Sequence, residues 1–233
     1  MGSDGAIRLG VLASGRGSNL QAIIDAMDRG VLPARIAVVI ADREGTTALE
    51  RARRHRVLAV FLNPAEHGDR EAYERALVRT LEASAVDLVC LAGFMRVLGP
   101  AFVRAFPGRV MNVHPSLLPA FPGLRAQRQA LEHGVKVTGA TVHFVNEGVD
   151  TGPIILQEAV SVFDGDTEAS LSERILAAEH RLYPEAIRLF AAGRLRVAGR
   201  RVLTDDPPGP PPTPCAETGL PAGRRPQDRS GRS

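Results

Sequence analysis

The chain has 233 residues, 44% hydrophobic and 24% charged, a balance that fits one sizeable globular core. A formal charge of only +3, with no Lys/Arg run interleaved with aromatics, argues against nucleic acid as a partner. Two cysteines make no disulfide framework at this length, no apolar stretch approaches the ~20 residues of a bilayer span, and the first five residues lack the basic and apolar regions of a signal peptide. A cytoplasmic protein with free thiols at Cys90 and Cys215 and no membrane contact is therefore expected.

Ile7 to Leu12 is a short apolar run that leads into Ala13-Ser14-Gly15-Arg16-Gly17-Ser18-Asn19, and Leu20, Ile23, Ile24 and Met27 then recur on one helical face. This is a strand, a glycine-rich turn and a helix. Arg35 to Ala41 and Val57 to Leu62 are further strand candidates, separated by a helix over Thr46 to His55. The cluster Arg51, Arg53, Arg54 and Arg56 with His55 reads as the solvated end of that helix. Asp69 to Leu81 forms a helix with Tyr73, Leu77 and Leu81 on one face, and Asp87 to Ala92 is apolar throughout, as a strand covered on both faces must be.

A short helix near Ala101 to Ala105 precedes a strand from Arg109 to Val113, and another helix is expected from Leu124 to His133. Thr138 to Val145 and Ile154 to Val162 read as an antiparallel pair joined by the turn residues Asn146 to Pro153. Asp166 or Thr167 caps a helix reaching about Ala192, which Pro184 should kink or break, and Leu195 to Leu203 closes as a small hairpin. Such alternation specifies an α/β fold with a doubly wound, mostly parallel sheet and helices on both faces. The expected organisation is a flexible N-terminus over 1–6, one catalytic domain over 7–203, and a disordered Pro/Gly/Arg-rich tail over 204–233, too poor in large apolar side chains to offset its ordering entropy.

Two stretches carry chemistry. In Ser14 to Asn19 the glycines allow backbone amides to turn toward a ligand, and the helix that begins there offers the positive end of its dipole, so a phosphate is the natural occupant. A dinucleotide fingerprint would need a further glycine near Leu20, although Asp42 is placed to imitate a ribose-binding acid. Asn112 and His114, two apart on a strand, point to the same side, and Pro115 ends the strand at its carboxyl edge. Asp150, in a Gly- and Pro-rich turn, is positioned to return a carboxylate to that imidazole and favour its protonated form, giving a donor suited to a developing oxyanion. With no activated nucleophile nearby, direct acyl transfer between two bound substrates follows. The remaining histidines have no metal-binding spacing, and no metal is expected.

Four motifs in order, Ser14 to Ile24, Leu91 to Arg96, Asn112 to Pro119 and Val149 to Ile155, together with Arg70-Glu71-Ala72-Tyr73 and Glu179-His180, resemble the phosphoribosylglycinamide formyltransferase family. The resemblance runs from about Ile7 to Arg200 and implies a formyltransferase, Rossmann-like fold. It implies formyl transfer from 10-formyltetrahydrofolate, a cosubstrate, to the amine of glycinamide ribonucleotide in purine (IMP) biosynthesis, by a monomer or homodimer. It further implies phosphate binding at Gly17, Ser18 and Asn19. The reduced folate would lie along Met95, Arg96, Val97 and Leu98, with Arg70 near its formyl end and Asn112 between the substrates. His114 would be the acid, Asp150 would raise its pKa, and Glu179 would contact the glycinamide. Other folate-dependent formyltransferases, a formyltetrahydrofolate deformylase, and a non-enzymatic nucleotide-binding module are the competing readings.

Overall fold

The computed structural model describes residues 5–204. Nine strands form one sheet: β1 (Ile7–Ala13), β2 (Ala34–Ala41), β3 (Leu58–Phe61), β4 (Leu88–Leu91), β5 (Val110–His114), β6 (Val137–Phe144), β7 (Ile154–Ser161), β8 (Leu195–Ala198) and β9 (Arg201–Thr204). Their spatial order is β3-β2-β1-β4-β5-β6-β7-β9-β8. The first five are mutually parallel, whereas β6 is antiparallel to both β5 and β7. The expected hairpin at the end of the domain is present as β8 against β9.

The helices are α1 (Ser18–Asp28), α2 (Thr47–Arg54), α3 (Arg70–Ala83), α4 (Pro100–Ala105), α5 (Ala126–Glu132) and α6 (Glu168–Ala191). Leu20, Ile23 and Ile24 of α1, Ala48 and Leu49 of α2, Ala130 of α5 and Ile175 and Ile187 of α6 share one apolar core with alternate residues of the sheet. On the opposite face Tyr73, Leu77 and Leu81 of α3 and Phe102 of α4 pack against Leu12, Ile40 and Val89. Strands covered on both sides must be apolar at every position, and β4 is buried over its whole length.

Pro184 does not break the last helix as expected: α6 runs through it. An interior proline costs about 3 kcal/mol in an isolated helix, but here Leu182, Tyr183, Ala186 and Ile187 around it are buried, and the packing outweighs the lost backbone bond. The helix starts on a capping box between Thr167 and Ser170. Among the described residues no helix is long and apolar enough to cross a membrane. Thr204 ends β9 rather than opening the tail, and Cys215 with the rest of the expected tail lies outside the described residues, as do residues 1–4 of the expected N-terminal segment.

Candidate active site

The strand order reverses between β1 and β4, and open α/β sheets bind ligands beyond the carboxyl ends of strands at such a point. Those two ends are tied together. Ser14 N–H donates to the Gly93 carbonyl at 3.0 Å, and the Met95 amide donates to Ser14 Oγ at 2.9 Å. Above them opens a cavity of about 900 Å³ whose walls include Gly17, Ser18 and Asn19 on one side and Glu179 of α6 on the other. Gly17 has a φ of +66°, and a Cβ there would lie 2.9 Å from Ala48 Cα, so any other residue would be strained and would push α2 away. α1 has neither a side-chain cap nor an acidic residue in its first turn, which leaves its first amides open to an anion.

Across this cavity Asn19 Nδ2 donates to Glu179 Oε2 at 2.7 Å. Glu179 is only 7% exposed. Burial penalises its charge more than the Asn19 bond relieves it, and the carboxyl is pushed up to about 7.

Asn112 and His114 do share one side of β5, but His114 is held differently from expectation. Its Nε2–H donates to the Phe121 carbonyl at 2.8 Å, and its Nδ1 lies 3.4 Å from Asp150 Oδ2. Burial favours the neutral ring and outweighs the Phe121 carbonyl and Asp150, so the imidazole sits below its ordinary value instead of above it. Burial also works against the Asp150 anion, but His143, the Gly123 amide at 2.7 Å and His114 reverse that, and the carboxyl stays below its usual range. Asp150 adopts a φ of +53°. The turn that presents it tolerates only glycine at 152, where a Cβ would sit 1.7 Å from the Phe144 carbonyl oxygen.

A second cavity, of about 430 Å³, is lined by Met95, Arg96, Val97 and Leu98 after β4 and by Asn112, His114 and Asp150. Met95, Val97, Leu124 and Val149 expose apolar surface on its walls, as a flat aromatic ligand requires. The two cavities meet, sharing Gly93, Met95, Val113, Pro115 and Gln127.

The sequence model described as Formyl transferase matches residues 7–187. The chain belongs to the formyl transferase family. It is 45% identical over 201 residues to the phosphoribosylglycinamide formyltransferase of Escherichia coli, covering 86% of this chain and 95% of that protein. It is 47% identical over 190 residues to the human trifunctional purine biosynthetic protein adenosine-3, covering 82% of this chain but 19% of that much longer protein. The glycinamide ribonucleotide transformylase 1 structure from Symbiobacterium toebii superposes with a TM-score of 0.86 at 61% identity, covering 87% of this chain and 95% of that one. The doubly wound, mostly parallel sheet is thus the fold of this formyl transferase and its structural neighbours.

Three positions in this formyl transferase depart from the sequence reading. Arg70 is not beside Asn112 and His114. It opens α3, pairs with Glu74 at 2.8 Å, and lines a separate cavity of about 170 Å³ behind Arg96, Val97 and Leu98, because Glu74 is itself fixed by the Gly99 amide. Asp42 is not free to take a ribose, since its Oδ2 accepts from Arg96 Nε at 3.0 Å. Arg51 is no mere solvated charge: its Nε donates to the Arg16 carbonyl at 3.1 Å and its Nη1 to Gln21 Oε1 at 2.7 Å, which pins the glycine loop.

His143 is the residue the sequence reading missed. It pairs with Asn112 across β5 and β6. Its Nδ1 lies 2.9 Å from the Phe144 carbonyl oxygen, and its Nε2 lies 3.3 Å from Asn112 Nδ2 and 3.6 Å from Asp150 Oδ1. His143 thus ties the Asn112 amide to the Asp150 carboxylate. Gln127, to which the sequence reading gave no role, borders both cavities. Among the described residues no group of three or more His, Cys, Asp or Glu is arranged to hold a metal ion.

Proposed function

We propose that this enzyme transfers the formyl group of 10-formyltetrahydrofolate to the amine of glycinamide ribonucleotide, yielding formylglycinamide ribonucleotide and tetrahydrofolate for de novo purine synthesis. The observation that carries this reading is the meeting of the two cavities at Val113 and Pro115, the chain neighbours of Asn112 and His114, which line the second cavity together with Asp150. One cavity offers an anion site and a carboxylate, matching a phosphorylated amine. The other offers an apolar groove, matching a reduced folate. Neither Ser116, whose hydroxyl donates to the Ala120 carbonyl, nor Cys90, fully buried with its thiol pushed up to about 12, is an available nucleophile, so the attacking group belongs to the acceptor.

In this scheme Gly17, Ser18 and Asn19 hold the phosphate and Glu179 faces the glycinamide amine. Met95 to Leu98 bed the pterin end of the folate, which supplies the formyl carbon, while Arg70 meets the far end with its carboxylates. The amine attacks that carbon, and an Asn112 Nδ2–H and the His114 Nε2–H stabilise the oxyanion that forms. The His114 hydrogen is given to the Phe121 carbonyl in the free protein, so the substrate oxygen replaces Phe121 as its acceptor. The proton lost by the amine is taken up by the leaving folate nitrogen as the C–N bond to the formyl carbon breaks, and Asp150, 3.4 Å from His114 Nδ1, fixes the ring that holds the oxyanion.

The assay is tetrahydrofolate release from 10-formyltetrahydrofolate with and without glycinamide ribonucleotide. Acceptor-dependent release is expected. Release without acceptor would assign a deformylase instead, and no release under either condition would leave only a binding protein.

A further inference from the structure

We propose that Arg16, seconded by Arg43, reads the charge of the acceptor's phosphate and makes the larger cavity selective for a phosphorylated acceptor over the same molecule without its phosphate. This rests on the reading of that cavity as the ribonucleotide site. Arg16 and Arg43 both line it, as do Glu168, Glu173 and Glu179. The cavity therefore carries side chains of both charges.

Four other arginines are committed, Arg51 to Gln21, Arg70 to Glu74, Arg96 to Asp42 and Arg174 to Asp166, while Arg125 lines the second cavity and not this one. Arg16 and Arg43 have no side-chain hydrogen bond or ion pair among the described residues. The Arg16 backbone, by contrast, is clamped. Its carbonyl accepts from Arg51 and the preceding Gly15 carbonyl accepts from the Ala48 amide at 3.1 Å, so the loop is rigid while its guanidinium stays open to the cavity. A further polar group on the same wall awaits a partner: Asn19, 7% exposed, spends its amide nitrogen on Glu179 and leaves Oδ1 unbonded.

The open amides at the start of α1 donate to an anion and bring the partial charge of the helix dipole, but no full charge. A guanidinium adds the charge and a planar pair of donors that match phosphate geometry. Discrimination between a phosphorylated acceptor and its dephosphorylated riboside is therefore assigned to Arg16 more than to the glycine loop.

The test compares kcat/KM for glycinamide ribonucleotide with that for the riboside lacking the phosphate, in the wild type and in Arg16→Gln, Arg16→Lys and Arg43→Gln. The ratio is expected to fall about 10- to 100-fold in Arg16→Gln, the loss of one charge-assisted hydrogen bond, through KM, and to recover in part with lysine. General damage would lower both substrates alike and leave the ratio unchanged, which would overturn the proposal. Calorimetry with ribose 5-phosphate as the probe needs no formyl transfer. Binding that weakens about 10-fold or more in Arg16→Gln supports the assignment even if the wild type proves not to be a transferase, and equal binding refutes it.

Discussion

Glu179→Gln should stabilise the protein at alkaline pH while impairing it as an enzyme. Glu179 is 7% exposed and its carboxyl is raised from 4.5 to about 7. A raised acid works against the fold from its unfolded pKa upward, and in full above its folded pKa. Below 4.5 both the folded and unfolded states are protonated and nothing is lost; between 4.5 and 7 the unfolded state ionises first, and above 7 the full penalty is present. The shift of about 2.5 units corresponds to about 3 kcal/mol at 1.36 kcal/mol per unit. The substituted amide would keep an acceptor for Asn19 Nδ2 but never ionise, so the variant escapes the penalty. Thermal unfolding of both proteins from about pH 5 to about pH 8.5 isolates the effect, because any pH-independent consequence of the substitution cancels. The stability gap should widen in favour of the variant by about 2–3 kcal/mol over that range, or roughly 5–10 °C in Tm for a chain of this size. The same variant should show a raised KM for the acceptor amine. A gap that stays constant with pH, or that widens in favour of the wild type, would refute the reasoning.

Three further substitutions act on the second cavity. His114→Ala and Asp150→Ala should each keep a native circular dichroism spectrum and lose about 10²–10³-fold in kcat, the usual cost of one oxyanion donor or its charge partner; turnover close to that of the wild type in either would sink the assignment. His143→Leu leaves Asn112 without its side-chain partner and free to turn, and kcat should drop about 10-fold as one charge-stabilising donor becomes misdirected. Single-turnover kinetics will show this, and an unaltered rate would mean that His143 only fills space.

The parts of the site that lie along one strand or one turn are legible in the sequence. Asn112 and His114 declare themselves by alternation, and Gly15, Gly17 and the helix after them by local geometry. Asp150 joins them only through the turn chemistry around Gly152 and the resemblance of the motifs. His143 is not legible, because its role depends on cross-strand register, and one residue of slip would turn it to the other face. The charge on His114 escapes the sequence for a related reason. A neighbouring carboxylate can be inferred from sequence, but the depth of burial that outweighs it is a property of the assembled layers. The pairing of Arg70 with Glu74 is not legible either, because nothing in that helix reveals that Glu74 reaches across to the Gly99 amide. In Pro184 a local rule gives way to packing that only the fold reveals.

Tyr183, one helical turn beyond Glu179, has its hydroxyl within 3.1 Å of the Leu91 carbonyl and 3.0 Å of the Met111 carbonyl, so one hydrogen is shared between β4 and β5. The wall that carries Glu179 is thereby bolted to the two central strands and cannot swing out without tearing buried bonds. Native-state hydrogen exchange should find α6, β4 and β5 exchanging as a single cooperative unit, with the segment from Ser116 to Arg125 opening at far lower free energy. Exchange of α6 well ahead of the central strands would contradict this. The wall that carries Glu179 is therefore a fixed jaw, its position set by β4 and by β5, the strand that carries Asn112 and His114.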